Sequence, residues 1–512
     1  MSPWLLLSIV IAYFLILLVV AWYTSRNSNN DTFFIGNKSS NWMLVAFGMI
    51  GTSLSGVTFV SVPGGVGDVA GQSFKGFAYM QVAIGYLLGY FVIAFVLLPL
   101  YYRLNLTSIY NYLQQRFGIV AYKTGALFFI ISRTVGATAR LYLVINVLQY
   151  FILDKMGVPF TVTAAVILLM ILLYTFEGGV KTIVYTDTLQ TSLMVTGLII
   201  CVVYILKQLN LSGGEALSEL SQRGYMNIFN TDVNSKSFFL KQIIGGAFIT
   251  ISMTGLDQEM MQKNISVKKL GDSQKNIVTM SLVLMFVLFL FLMLGGLLYL
   301  YTTARGATYT DVEAGGKTVK HLMLNGNNLI GDKMFPSVAI NMLPSAMGII
   351  FIIALISALF PSADGALTAL TSSFCIDLLG LKTRTDLDEK QKKRLRLTVH
   401  LCFTVVFLIC IKVFQVLNDN SIIDKILDLA GYTYGPLLGL FAFGIFTRRS
   451  LPDKLVVTFI CLAAPVLSYI LSMNAKTWFN GYQIGIELLL INGFITFMGL
   501  WLISKKGNGV RV

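Results

Sequence analysis

The chain has 512 residues, of which 56% are hydrophobic and only 12% are charged, and its mean hydropathy is +0.75. A soluble chain carries about 25% charged residues, so the composition excludes an ordinary soluble protein. It predicts an all-α polytopic membrane protein. The net charge of +14 then indicates basic loops beside the lipid bilayer, whose anionic headgroups are the expected partners of these loops. Binding to nucleic acid is not expected.

Apolar runs of about 20 residues predict thirteen transmembrane spans. The spans lie near residues 3–23, 42–62, 76–101, 124–151, 160–175, 184–206, 238–260, 276–302, 339–376, 397–415, 424–446, 455–472 and 482–504. The first lacks the basic start and the cleavage site of a signal peptide, so we expect it to remain as a helix. The fifth is short, and the ninth is too long for one simple span.

Lys and Arg are concentrated in the loops on one side of the predicted membrane, most densely in "KTRTDLDEKQKKRLR" at 382–396. Cytoplasmic loops carry this excess, so the N-terminus is expected outside the cell and the C-terminus in the cytoplasm. No organelle-type signal is evident, which favours a cell membrane and specifically a bacterial inner membrane. No obligatory protein partner is predicted.

Two predicted spans contain glycine-rich interruptions. The second reads "GTSLSGVT" at its centre and the seventh reads "GGAFITISMTGLDQEM". They are five spans apart, as expected for two five-helix units of inverted topology that each open with a broken helix. The freed carbonyls would line a cavity or bind a cation. The alternative is that the small residues only allow helices to pack closely.

Ionisable residues at membrane depth are costly and therefore indicate function. The candidates are Arg133, Arg140, Asp187, Lys241, Asp257, Glu259 and Asp364. Asp364 lies within "ALFPSADGALTALTSSF" (358–374), among several hydroxyls. Sodium prefers oxygen ligands, so this stretch and the "GTSLS" break predict two walls of a sodium site.

Metal and nucleophile chemistry has little support in the sequence. The five cysteines form no CxxC pair, HExxH is absent, and no nucleophile–base arrangement is evident. These absences argue against a zinc site, a disulfide framework and an intramembrane metalloprotease. The chain is not expected to be an enzyme.

Six segments in order give the chain a recognisable pattern. They read "GTSLSGVTF", "LNLTSIYNYLQQRFG", "EGGVKTIVYTDTLQTSLM", "GLDQEMMQK", "SALFPSADGALTALTSSFCIDLL" and "YGPLLGLFAFGIFTRR". The sequence resembles the sodium/solute symporter family, which includes the sodium/glucose, proline, pantothenate, iodide and sialic-acid symporters. The resemblance implies a leucine-transporter-type 5+5 inverted repeat with about 13 transmembrane helices. It also implies sodium-coupled import of a small organic solute.

This resemblance implies a division of the chain into five parts. They are an extra N-terminal helix with its cytoplasmic loop (1–41), a first five-helix repeat (42–206), an extracellular loop (207–237), a second repeat (238–446), and two C-terminal helices with a tail (447–512).

The resemblance further implies a main sodium site between the first and eighth core helices. It falls on the carbonyls of Gly51, Leu54 and Ala358 and on the hydroxyl of Ser362. The family usually has two adjacent hydroxyl residues there, but this chain has Pro361 before Ser362. Pro361 would also free a backbone carbonyl near residue 357.

Some family members hold a second sodium ion between the fifth and eighth core helices. Carried over, this possible site comprises Asp187, Ser362 and Asp364, with Asp364 and Gly365 at positions where serines would be expected. Asp364 is either a ligand of a second cation or the partner of an arginine.

The substrate residues resemble those of the sialic-acid branch. Its pattern implies a pocket lined by Ser53, Ser55, Thr58 and Gln81 and completed by an arginine, with Arg133 preferred to Arg140. A guanidinium suits bidentate binding of a carboxylate. Alternatively, these arginines pair with Asp187 or Asp364. The remaining alternatives are a neutral-sugar symporter and, from other classes, a passive channel or a membrane sensor.

Overall fold

The computed structural model describes residues 3–24, 33, 38–67, 76–314, 317–324, 326–417 and 422–506. The predicted loop after the first span and the end of the predicted tail lie largely outside these residues.

The described residues form helices almost throughout. The helices are α1 Pro3–Thr24, α2 Trp42–Ser53, α3 Gly56–Gly64, α4 Tyr79–Arg103, α5 Asn111–Phe117, α6 Ile119–Met156, α7 Phe160–Leu209, α8 Gly213–Gln222, α9 Phe239–Gly255, α10 Gln258–Ile265, α11 Leu270–Ala304, α12 Met334–Ser337, α13 Ser345–Leu378, α14 Glu389–Leu417, α15 Ile422–Thr433, α16 Gly435–Phe446, α17 Val456–Trp478 and α18 Leu488–Ile503. A small antiparallel sheet separates α11 from α12, in the order β1 (Thr308–Ala314), β2 (Lys317–Leu324) and β3 (Asn327–Asn328).

Eight described helices are long and apolar enough to cross a membrane, with α7 counted for its second part, Thr182–Leu209. Two bent pairs and three shorter apolar helices accompany them, namely Phe160–Phe176 at the start of α7, α16 and α18. Each predicted span overlaps one of these elements, which confirms a polytopic helical fold. That all thirteen spans cross the bilayer stays a prediction.

One predicted boundary differs from the structure. The fifth and sixth predicted spans lie in α7 on either side of a kink at Gly179, where φ is 57°. The ninth predicted span is too long at its start, because α13 begins only at Ser345. Pro344 restricts the residue before it to extended backbone, and Leu343 accordingly has φ −93° and ψ 161°.

Both predicted helix breaks are present. Helices α2 and α3 meet at 53°, and α9 and α10 meet at 65°. The last hydrogen bond of α2 joins Leu54 N to Ile50 O, and the first of α3 joins Phe59 N to Ser55 O. The carbonyls of residues 51–54 therefore follow the last turn of one helix and precede the next.

The second break has a different local cause. Asp257 caps the start of α10, since its carboxylate accepts hydrogen bonds from the backbone N–H groups of Glu259 (2.9 Å) and Met260 (3.3 Å). Such a cap satisfies amides that a helix start leaves free. The cap therefore directs the first turn of α10, with its charged side chains, into the protein interior, where they are buried.

Helices α2, α7 and α13 pack against one another beside the first break. A β carbon added to Gly48 would lie 3.1 Å from Asp187 Cβ. One turn further along α2, Gly51 faces α7 and Pro361 of α13. This contact joins the two segments in which the sequence predicts sodium ligands.

Candidate functional site

A cavity with an empty volume of about 800 Å³, which includes its open mouth, lies between the two helix breaks. Its walls combine hydroxyls, aromatic rings, apolar side chains and two guanidinium groups. The polar and aromatic lining comprises Thr52, Ser53, Ser55, Thr58, Tyr79, Tyr86, Tyr90, Arg133, Arg140, Thr250 and Thr254. Mixed apolar and convergent polar walls are typical of a small-molecule site.

Three of the predicted substrate residues line the wall formed by the first break. Ser53, Ser55 and Thr58 all border the cavity. Ser53 Oγ lies 3.4 Å from Tyr90 Oη, and the hydroxyls of Tyr79 and Tyr86 lie 3.1 Å apart. These hydroxyls offer both donors and acceptors to a hydroxylated solute.

Gln81 lies outside the cavity. Its side-chain amide donates to Ala78 O at 3.1 Å, and its carbonyl accepts a 3.3 Å hydrogen bond from Asn230 N. Gln81 therefore holds the segment that precedes α9 through its hydrogen bond to Asn230 N. The structure shows no contact between Gln81 and the cavity.

Arg133 is buried in α6 and already has acidic partners. Its Nη2 donates to Glu259 Oε2 in a short hydrogen bond, and its Nη1 lies 3.8 Å from Asp257 Oδ2. Both partners belong to the second break. The sequence offered Asp187 or Asp364 as alternative partners, but the structure pairs Arg133 with neither.

Arg140 lies seven residues further along α6 and also lines the cavity. No carboxylate among the described residues lies within salt-bridge distance of Arg140. The two arginines thus differ in charge compensation. Arg140 is the cavity arginine that faces the solute space without an acidic partner in the described part of the chain.

Lys263, which the sequence analysis missed, forms the centre of a buried charge cluster. Its Nζ lies 2.7 Å from Asp187 Oδ2, 2.7 Å from Thr52 Oγ1 and 3.5 Å from Glu259 Oε1. Glu259 and Asp257 are almost completely buried, so neither is a solvated carboxylate at the end of a span. The i, i+4 spacing of Glu259 and Lys263 after a glycine-rich break was the signal that could have indicated this pair.

Asp364 is buried within α13 and pairs with no described arginine. Its Oδ2 accepts a 2.8 Å hydrogen bond from Tyr174 Oη, and its Oδ1 accepts one from Gly365 N at 2.5 Å. A β carbon added to Gly365 would lie 2.2 Å from Glu259 Oε1. Glu259 therefore fills the space that a serine side chain would need at position 365.

The predicted second sodium site has a protein cation beside it. Lys263 pairs with Asp187. Ser362 Oγ donates to Leu359 O at 2.9 Å, which leaves the oxygen lone pairs of Ser362 able to bind a cation. Charge compensation of Asp187 thus requires no second sodium ion.

The oxygen atoms of the predicted main sodium site suit a sodium ion better than those of the predicted second site do. The carbonyls of Gly51 and Leu54 follow the last hydrogen bond of α2. Across from them, Pro361 of α13 has no N–H to offer the carbonyl of Ser357. Carbonyl and hydroxyl oxygens suit a hard cation. Among the described residues, no group of three or more His, Cys, Asp or Glu side chains is arranged to hold a metal ion.

Comparison with known proteins gives consistent results over most of the chain. A sequence profile described as the sodium:solute symporter family matches residues 33–451. A sodium/sialic acid symporter of Proteus mirabilis is 24% identical, over 94% of this chain and 92% of that protein. One from Aliivibrio fischeri is 25% identical, over 95% of this chain and 91% of that protein.

A solved structure supports the fold. It shows a Na⁺-coupled sialic acid symporter in a substrate-bound outward-open state and superposes with a TM-score of 0.77. The alignment covers 98% of this chain and 99% of that chain at 19% sequence identity. The similarity extends beyond the two helix breaks to the flanking helices.

Proposed function

Because the chain belongs to the sodium:solute symporter family, we propose that this sodium-coupled symporter imports a small carboxylated solute of the sialic acid type. It is a multi-pass membrane protein with the leucine-transporter-type inverted repeat, and its family consists of transporters and not of enzymes. The solute class is the part of the proposal that needs its own argument.

The observation that carries the proposal is the position of Arg140. This guanidinium lines the cavity, and no described carboxylate lies within salt-bridge distance of it. A guanidinium that faces a desolvated cavity binds a carboxylate with two charge-assisted hydrogen bonds. The nearby tyrosine, serine and threonine hydroxyls suit a solute that also carries several hydroxyls.

Arg133 has a different role in this proposal, although the sequence favoured it for the carboxylate. Its charge is met by Glu259 and, more distantly, by Asp257. A solute carboxylate at Arg133 would have to displace Glu259, whereas at Arg140 it displaces no ion pair. We therefore assign Arg133 to holding the second break in place and Arg140 to the solute.

Sodium would be held by the carbonyls of Gly51, Leu54 and Ala358 and by the hydroxyl of Ser362. Such an ion ties the α2–α3 break to α13 and stabilises the outward-open state. The solute binds beside the same break at Ser53 and Ser55, which line the cavity. Each ligand then raises the affinity for the other by the same factor.

In this account Asp187 and Asp364 are pairing residues. Asp187 holds Lys263, and Asp364 holds the hydroxyl of Tyr174. One sodium ion per cycle therefore accompanies the solute.

The orientation and the organisation are inferred from the sequence. The Lys and Arg bias places the N-terminus outside and the C-terminus in the cytoplasm, in a bacterial inner membrane, as expected for a relative of bacterial symporters. The bent pairs α2–α3 and α9–α10 open the proposed five-helix repeats 42–206 and 238–446. The parts 1–41, 207–237 and 447–512 flank or link these repeats.

Competition for uptake tests the solute class. We expect proteoliposomes with an inward sodium gradient to take up labelled N-acetylneuraminate, and unlabelled monocarboxylates to compete better than neutral hexoses. Arg140→Ala should lower uptake by at least about tenfold. Arg223→Ala is the matched control, since Arg223 pairs with Glu219 outside the cavity. Uptake of a neutral hexose that Arg140→Ala leaves unchanged would contradict the proposal and favour a neutral-sugar symporter.

A further inference from the structure

Thr191 of α7 carries a buried hydroxyl with no hydrogen-bond partner among the described residues. Buried threonines in helices ordinarily donate to the carbonyl three or four residues earlier. Thr186, on the same helix, does so to Thr182 O at 3.2 Å and to Ile183 O at 3.1 Å. The Thr191 oxygen is therefore left available for a ligand that the protein itself does not supply.

This hydroxyl points at the first helix break. A β carbon added to Gly51 would lie 2.2 Å from Thr191 Oγ1 and 3.6 Å from Pro361 Cγ. The Thr191 hydroxyl and the Pro361 ring thus meet at the α carbon of Gly51. The carbonyl of Gly51 belongs to the proposed sodium site.

Helix geometry explains how α7 reaches this point. Asp187 and Thr191 are four residues apart and lie on one face of α7. Asp187 packs beside Gly48, and Thr191 packs beside Gly51 on the next turn of α2. Because α2 has glycine at both positions, α7 approaches closely enough for its side-chain oxygens to reach the backbone of α2.

Pro361 removes one oxygen from the same place. A serine at position 361 would carry a γ oxygen, whereas the proline carries a γ carbon and cannot coordinate a cation. The Pro361 γ carbon and the Thr191 hydroxyl both lie within 4 Å of the position that a β carbon on Gly51 would occupy.

We propose that Thr191 Oγ1 is a ligand of the sodium ion and supplies, from α7, the hydroxyl that α13 lacks at Pro361. The inference rests on the proposed sodium site at Gly51, Leu54, Ala358 and Ser362. It extends that site to a third helix, so that bound sodium joins α2, α7 and α13.

Sodium binding to the purified full-length protein, without any solute, tests this inference. We expect Thr191→Val to weaken binding of radioactive ²²Na⁺ by at least about tenfold, since a ligand to a buried charge is lost. Thr191→Ser should bind sodium as the wild type does. Thr186→Val is the matched control, because the Thr186 hydroxyl is already bonded within its own helix.

A rescue experiment separates coordination from folding. If Thr191 replaces the missing hydroxyl, Pro361→Ser in the Thr191→Val background should restore sodium affinity. Unchanged binding in Thr191→Val, or no recovery in a folded double variant, would overturn the inference. If the wild type itself bound no sodium, the proposed sodium site would fail instead, so the two failures are distinguishable.

Discussion

At the scale of residues, two buried cationic side chains pair with the buried carboxylates beside the cavity. Arg133 and Lys263 both contact Glu259, and Lys263 also holds Asp187. Every one of these side chains is almost completely buried. Removing one member of a buried ion pair leaves an uncompensated charge, which typically destabilises a protein by about 3–5 kcal/mol.

Replacing Lys263 should therefore reveal the importance of the cluster for stability. We expect Lys263→Met to lower the free energy of unfolding by about 3–5 kcal/mol, because Asp187 loses its cation. Adding Asp187→Asn should recover part of this loss. Thermal unfolding of the detergent-solubilised protein measures both changes.

The exposed pair of Arg223 and Glu219 provides the comparison. Arg223→Met should change stability by less than about 1 kcal/mol, because solvent screens an exposed pair and both side chains are at least 36% exposed. Equal losses in Lys263→Met and Arg223→Met would contradict a stabilising role for the buried cluster.

Apart from Lys263, the sequence predicted which ionisable residues form the buried charge cluster, but it did not predict their pairing. Arg133 and Arg140 share one face of α6 and are equivalent in sequence terms. They differ only because α10 places Glu259 against Arg133. Such a contact between distant segments depends on the packing of α10 and leaves no signal in helical spacing.

At the scale of elements, glycines determine how closely helices approach. A β carbon added to Gly85 of α4 would lie 2.2 Å from Ile243 O, and one added to Gly246 of α9 would lie 2.6 Å from Val82 O. The two helices therefore touch through their backbones, as small residues allow in membranes. Backbone atoms cannot move away from an added methyl group as a flexible side chain can.

Gly85→Ala should accordingly separate α4 from α9. We expect a clear fall in thermal stability, because the added methyl group meets a backbone carbonyl. Gly136→Ala in α6 is the control, since no heavy atom outside its own helix lies within 4 Å of its added β carbon. This control should leave stability unchanged or raise it by up to about 1 kcal/mol. A similar melting temperature for Gly85→Ala and the wild type would show that the helices are not in such close contact.

Most elements could be predicted because hydropathy alone defines a span. The two breaks could be predicted because glycines and hydroxyls interrupt an apolar run. The hairpin of β1 and β2 lies between the eighth and ninth predicted spans and was not predicted, because hydropathy identifies spans and gives no information about strand pairing outside them. The late start of α13 was missed because the apolar run continues across Leu343 and Pro344 without a change of composition.

At the scale of the whole molecule, the proposed topology places α8 outside the cell and the segment 380–396, which includes the start of α14, in the cytoplasm. Ser218 in α8 and Lys390 in the cytoplasmic segment are both exposed. Their separation across the bilayer follows from the Lys and Arg bias.

Cysteine labelling of intact cells measures this topology. In a background that carries Cys402→Ala, a membrane-impermeant thiol reagent should modify Ser218→Cys and should leave Lys390→Cys unmodified until the cells are opened. Labelling of Lys390→Cys in intact cells, with Ser218→Cys protected, would invert the assignment.

Sodium-driven accumulation of solute tests the central claim most directly. Proteoliposomes that contain the wild-type protein should concentrate labelled N-acetylneuraminate above the outside level when sodium is high outside. Accumulation should stop when potassium replaces sodium or when a sodium ionophore removes the gradient. Solute that only equilibrates across the membrane, at a rate independent of sodium, would contradict symport and indicate a passive channel.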